Sequence, residues 1–262
     1  MYKGGTYLYQ AVVFFDLDGT LLQDDKSLAD DTIKAIARLR ANNVLPVVAT
    51  GRNIFEVQYV LDQTGIDSIV SANGSYVQYE GRKLHVETIP VPLIEQFNAF
   101  VREQGDLVGW YNNTGFALSG ANAATRENYQ LLHLDAHVDP TWYQHHQVNF
   151  MFVFNFDKER LYQQHFAGQL SLVRNNPRGL DTMLTGVSKQ TGINHFLDET
   201  GLQGLPTYAF GDQLNDLEML SMVDHPVVMG NGNDQDKALA EYVTSTNMNH
   251  GISQGLSHFG LI

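Results

Sequence analysis

The chain has 262 residues, a formal net charge of −13, 43% hydrophobic residues and no cysteine. Such a length holds one large domain or two smaller ones around a sizeable core. The acidic balance argues against a nucleic-acid surface, which needs clustered Lys and Arg; the lack of cysteine excludes disulfides and thiolate metal sites and suits a reducing cytosol.

No run approaches the roughly 20 apolar residues of a membrane span. The opening MYKGGT carries only Lys3 and no apolar stretch, so it reads as a loose leader and not as a secretion signal. A cytoplasmic protein is expected. Strands follow at Ala11–Phe15, Val44–Ala49 and Ser68–Ser71. Between the first two, Ile33, Ile36, Ala37 and Arg40 mark one helical face. Asn53, with Glu56 three residues on, has the form of a capping box. From about Gly81 to about Gly186 the pattern changes to longer, more alternating strands such as HQVNFMFVFNF, punctuated by Pro90, Pro92 and Pro140. This stretch is expected to be an inserted domain over residues 82–186. Ile193, Phe196 and Leu197 then mark a helix, and strands return at Thr207–Phe210, Pro226–Met229 and Tyr242–Thr244. Strand and helix in alternation imply right-handed crossovers. The expected class is α/β: a doubly wound, mostly parallel sheet from residues 1–81 and 187–262, with an inserted α/β cap.

Within Val12–Leu22, VVFFDLDGTLL, four apolar residues run into two aspartates. An EF-hand loop would need glycine and glutamate where Leu21 and Ser27 stand, so that reading fails. A plain surface turn suits Asp and Gly. However, a strand apolar on both faces belongs inside a parallel sheet, and ligands of open α/β sheets collect at the carboxyl ends of the strands. At usages of roughly 5–7% per residue, D-x-D-G-T arises by chance on the order of once in 100,000 positions. Asp16 and Asp18 together suit a hard cation such as Mg²⁺. They also suit divided labour between a nucleophile and a proton carrier.

Possible partners follow other predicted strands. VVATGR carries Thr50, which by itself equally suits a turn or cap. GVSKQTGINHF puts Lys189 at a helix start, where a cation opposes the macrodipole unless an anion is also there. YAFGDQLNDLEML places Asp212 at a strand end, with Asn215 and Asp216 able to serve as N-cap, as ligand shell, or as both. His133 and His137 share a face if helical, but no third ligand is evident, so ordinary histidines are expected there.

DLDGT, VVATGR, GVSK and GDQLND stand in the order of the four motifs of the haloacid dehalogenase superfamily. The chain resembles its Cof-like hydrolases, the branch with a large α/β cap between the second and third motifs. SANGSYV at Ser71–Val77 and the stretch from Met229 to Ile252 are similar to that branch as well. The resemblance implies that the first strand lies beside Thr207–Phe210. It implies Asp16 as nucleophile and Asp18 as the acid and base for the leaving oxygen and water. Thr50 and Lys189 would hold the phosphoryl group, with Gly51, Arg52, Asn73 and Asn215 completing the substrate site. Mg²⁺ would be held by Asp16, the main-chain carbonyl of Asp18, and Asp212, with Asp216 supporting the metal's waters or Lys189. Gln190 and Gly232 depart from the usual glycine and alanine of the branch. Because the family's dehalogenases lack an equivalent of Asp18, a phosphoester is the expected substrate. The implied enzyme is an Mg²⁺-dependent phosphatase of small phosphorylated metabolites, sugar phosphates first, with no nucleic-acid or membrane partner and no oligomeric state specified. A phosphomutase on the same scaffold is the alternative; a phosphoacceptor switch fits the D-x-D spacing and the inserted cap less well.

Overall fold

The computed structural model describes residues 8–131 and 134–262; MYKGGT and His133 lie outside them. The contacts divide the chain into two units. One comprises the chain up to Gly51, Val57–His85 and Ser188–Ile262; the other comprises Arg52–Glu56 and Val86–Val187.

In chain order, the elements begin with β1 (Ala11–Phe15), α1 (Asp30–Ala41), β2 (Val44–Ala49), α2 (Ile54–Thr64), β3 (Ile69–Ser71), β4 (Tyr76–Tyr79) and β5 (Arg82–Val86). The inserted stretch supplies α3 (Val91–Glu103), β6 (Leu107–Asn112), β7 (Gly115–Leu118), α4 (Ala123–Leu131), β8 (Phe150–Phe154), α5 (Glu159–His165), β9 (Leu170–Asn176) and β10 (Gly179–Leu184). The chain closes with α6 (Lys189–Thr200), β11 (Thr207–Gly211), α7 (Leu217–Met222), β12 (His225–Val228), α8 (Asp234–Lys237), β13 (Tyr242–Val243) and α9 (Gly251–His258).

The first unit is built on an eight-stranded sheet of order β13-β12-β11-β1-β2-β3-β4-β5. Its strands run parallel from β13 to β3, and β4 turns back antiparallel to β3. All five residues of β1 are buried, as a central strand covered on both faces must be. On one face Phe14 meets Phe196 of α6 edge to face at 5.9 Å; on the other, Phe15 stacks on Phe210 at 5.1 Å. Each such side chain contributes roughly 1.5–3 kcal/mol by leaving water. The β4–β5 turn is Glu80–Gly81, both with positive φ, a two-residue hairpin geometry that favours glycine. Because β5 joins this sheet, the first unit runs to His85, past the boundary expected at 81/82.

The second unit is a five-stranded antiparallel sheet of order β7-β6-β8-β10-β9. Phe97, Phe100 and Val101 of α3, with Tyr162 and Phe166 at α5, pack on Trp110, Met151 and Val153. The polar–apolar alternation expected for the inserted strands does not hold in β8. All five of its residues are buried, because Met151 and Val153 join that cluster while Phe152 and Phe154 pack on each other. Among the described residues, no helix is long and apolar enough to cross a membrane.

Candidate active site

The register of the first sheet sets the candidate site. Phe15 of β1 pairs with Phe210 of β11 on one side and Val48 of β2 on the other. Asp16 and Asp212 therefore leave adjacent strands at their carboxyl ends, at the junction where strand order reverses. The Asp16 amide donates to the Phe210 carbonyl at 2.9 Å, which fixes its backbone.

Lys189 is the first residue of α6. Ser188 caps that helix through Thr191 in a reciprocal capping box, so Lys189 has a defined position. Its Nζ donates to Asp16 Oδ1 and to Asp216 Oδ1, each at 2.6 Å. Lys189 is 2% exposed and Asp216 fully buried. Asp216 does not cap α7: its second oxygen accepts from the amides of Asp212 and Gln213, at 3.0 and 3.2 Å, and closes the loop after β11.

Asp16, Asp212 and Asp216 each offer a carboxylate oxygen within 4.8 Å of the others. One ammonium cannot balance three buried carboxylates. Burial and then Asp216 hold the Asp16 carboxyl well above the usual range, with Lys189 pulling it back. The same two causes push Asp212 up to about 6, against hydrogen bonds from Thr20 and Gln213 and the charge of Lys189. Burial opposes the charge on Lys189, but Asp16 and Asp216 outweigh it and keep the ammonium protonated. This uncompensated negative charge, offered by oxygen donors alone, fits a hard divalent cation. Gly19 leaves room beside it: its φ is +82°, and a Cβ there would fall 2.2 Å from Asp212 Oδ2.

Asp18 is not one of the three converging carboxylates, though its charge adds to the rise at Asp16. Its carboxylate accepts from Lys26 Nζ at 2.7 Å in a partly exposed pair. Thr50 is buried at the end of β2, its amide on the Val70 carbonyl at 2.9 Å. The Asn73 amide donates to the Thr50 carbonyl at 3.0 Å, and a Cβ on Gly51 would lie 3.0 Å from Asn73 Oδ1. Asn73, at φ 51°, belongs to a turn that presses on α6, since a Cβ on Gly74 would strike the Ser188 carbonyl oxygen at 2.1 Å. Arg52 opens the Arg52–Glu56 segment of the second unit. Asn215 is half-buried in the turn Leu214–Asp216.

Two contributors lie inside the sequence motifs, Thr20 at the end of DLDGT and Asn231 in MGNGND, but had no role assigned from sequence. Thr20 Oγ1 donates to Asp212 Oδ1 at 3.1 Å. Asn231 Nδ2 donates to the Gly19 carbonyl at 2.8 Å and to Asp212 Oδ2 at 3.2 Å, tying the loop after β12 to the loop after β1. The signal for Asn231 lay in MGNGND, which carried the family resemblance but no assigned role.

The sequence pattern of the haloacid dehalogenase-like hydrolases matches residues 13–256, and the chain belongs to this family, in its Cof-like branch. It is a phosphatase of that family. A crystal structure of a Geobacillus kaustophilus protein superposes with a TM-score of 0.89 and 33% identity, covering 96% of this chain and 99% of that one. A HAD subclass IIB sugar phosphatase superposes at 0.84 with 27% identity, over 96% and 99%. An HMP-PP phosphatase of Citrobacter koseri is 28% identical, over 94% of this chain and 92% of its own.

Proposed function

We propose that the chain is an Mg²⁺-dependent phosphatase of small phosphorylated metabolites, sugar phosphates first, working through an aspartyl phosphate on Asp16. The observation that carries this reading is the buried Lys189 ammonium bridging Asp16 and Asp216 beside Asp212. The sugar phosphatase and HMP-PP phosphatase among its relatives support the substrate class.

Asp16 attacks phosphorus with a carboxylate oxygen as the bond from phosphorus to the leaving oxygen breaks. Asp18 gives its proton to that oxygen. Water then attacks the aspartyl phosphate and yields a proton to Asp18, and the Asp16 carboxylate is released with inorganic phosphate. Asp18 first has to exchange its contact with Lys26 for the leaving oxygen. Lys189 and Thr50 orient the phosphoryl oxygens, and the fixed ammonium meets developing charge without reorganising. Asp16, the Asp18 carbonyl and Asp212 would hold Mg²⁺, with Asp216 behind them; the ion supplies further neutralisation of the transferring group.

The test is a panel of sugar phosphates, nucleotides, pyridoxal phosphate and flavin mononucleotide with and without Mg²⁺. Free inorganic phosphate is expected from wild type, and none from Asp16→Asn with unchanged circular dichroism. Turnover surviving in purified Asp16→Asn overturns the nucleophile assignment. An isomerised sugar phosphate in place of free phosphate marks a mutase.

A further inference from the structure

A second cluster of ligating side chains lies elsewhere in the first unit. His85 stands on β5, the edge strand, and His195 on α6. Their rings lie parallel, with centroids 3.8 Å apart and planes 10° from each other. They offer ring nitrogens within 4.8 Å of one another. Glu199 is four residues after His195, hence on the same face of α6. Its Oε1 lies 3.7 Å from His85 Nδ1. The chain carries a further carboxylate, Glu87, two residues past His85.

We propose that His85, His195 and Glu199 form a binding site for a transition-metal ion such as Zn²⁺, separate from the acidic cluster at the strand ends. The donor sets differ in kind. The acidic cluster offers only oxygens and suits Mg²⁺, whereas two imidazoles with one carboxylate suit Zn²⁺, Co²⁺ or Ni²⁺. A metal ion lies in the plane of each imidazole that binds it, so stacked rings cannot both bind as they stand. One ring turns about its Cβ–Cγ bond on binding, a rotation that the partial exposure of His85 permits. Waters complete the coordination. The two ligand-bearing elements are a strand edge and a helix face, so the ion would pin the sheet margin to α6. This proposal does not rest on the phosphatase reading.

The test uses tag-free protein in saturating Mg²⁺, titrated calorimetrically with Zn²⁺ alone. Wild type is expected to take up one zinc equivalent more than His195→Gln or His85→Gln, while Mg²⁺-dependent turnover measured without zinc stays unchanged in both. Glu199→Gln keeps the ring stack and should weaken that equivalent by at least about tenfold. Co²⁺ should give visible d–d bands in wild type that both histidine variants lose. Equal zinc uptake and affinity in wild type and the histidine variants overturns the site. Unchanged affinity in Glu199→Gln overturns that residue's part in it. If one histidine variant fails to fold, the other and the cobalt spectrum of wild type still decide.

Discussion

Asp212 allows a quantitative prediction. Burial and the neighbouring Asp216 lift its carboxyl from 3.8 to about 6. A shift of roughly 2 units at 1.36 kcal/mol per unit is about 3 kcal/mol. The sign follows from proton counting: between pH 4 and 6 the folded metal-free protein holds a proton that the unfolded chain has released. The Asp212 contribution to stability therefore falls as pH rises through that window and levels off above about 6, while Asp16, also raised by burial, adds a fall in the same direction. Mg²⁺ should remove the penalty, because the ion neutralises the carboxylate that burial disfavours. Asp212→Asn keeps the shape and discards the charge. Urea melts from pH 4.5 to 8 in EDTA should show wild type losing about 2 kcal/mol through Asp212 over that range, the rest of the change lying below pH 4.5, and the variant losing less. At pH 7.5 the metal-free variant should be the more stable protein, though inactive. Wild-type stability that does not fall with pH, or a variant less stable than wild type at pH 7.5, would refute the electrostatic account of the cluster.

Lys189→Met removes the only cation bonded to Asp16 and Asp216 among the described residues; it should cost about 3–5 kcal/mol at pH 7.5 in EDTA and abolish phosphate release, as read by urea melts and a phosphate assay. Asn231→Ala loses the bonds to Gly19 and Asp212, so melts should show about 1–3 kcal/mol of destabilisation and a weaker rise of melting temperature with added Mg²⁺. Gly19→Ala puts a methyl group against Asp212 from a left-handed backbone; turnover should fall more steeply than secondary structure, measured by phosphate release beside circular dichroism.

The parts of this protein legible from sequence are those with local causes. The β1 strand reads from AVVFF because full burial demands an unbroken apolar run, and its bounds agree with the structure. Lys189 reads as a helix start from sequence and is the first residue of α6, where the structure adds the Ser188 cap. The Asp216 side chain was ambiguous between cap and ligand shell, since both uses choose the same residue; only the folded loop shows it accepting from the amides of Asp212 and Gln213. The Lys26 contact with Asp18 had no sequence signal, and MGNGND marked Asn231 without showing that it reaches Gly19. Such pairings depend on which loops tertiary packing brings together. The second unit was the least legible, because a strand buried on both faces, such as FMFVF, does not alternate.

The turn at Asn73–Gly74 has a consequence for how this architecture tolerates change. Gly74 and Gly192 touch so closely that a Cβ on Gly192 would lie 2.6 Å from the Gly74 Cα. That contact acts as a mechanical stop for α6 and sets where Lys189 begins, whatever precedes Ser188 in the chain. The hundred or so residues between β5 and Ser188 are thus free to diverge in length and chemistry without shifting the ammonium from its two carboxylates.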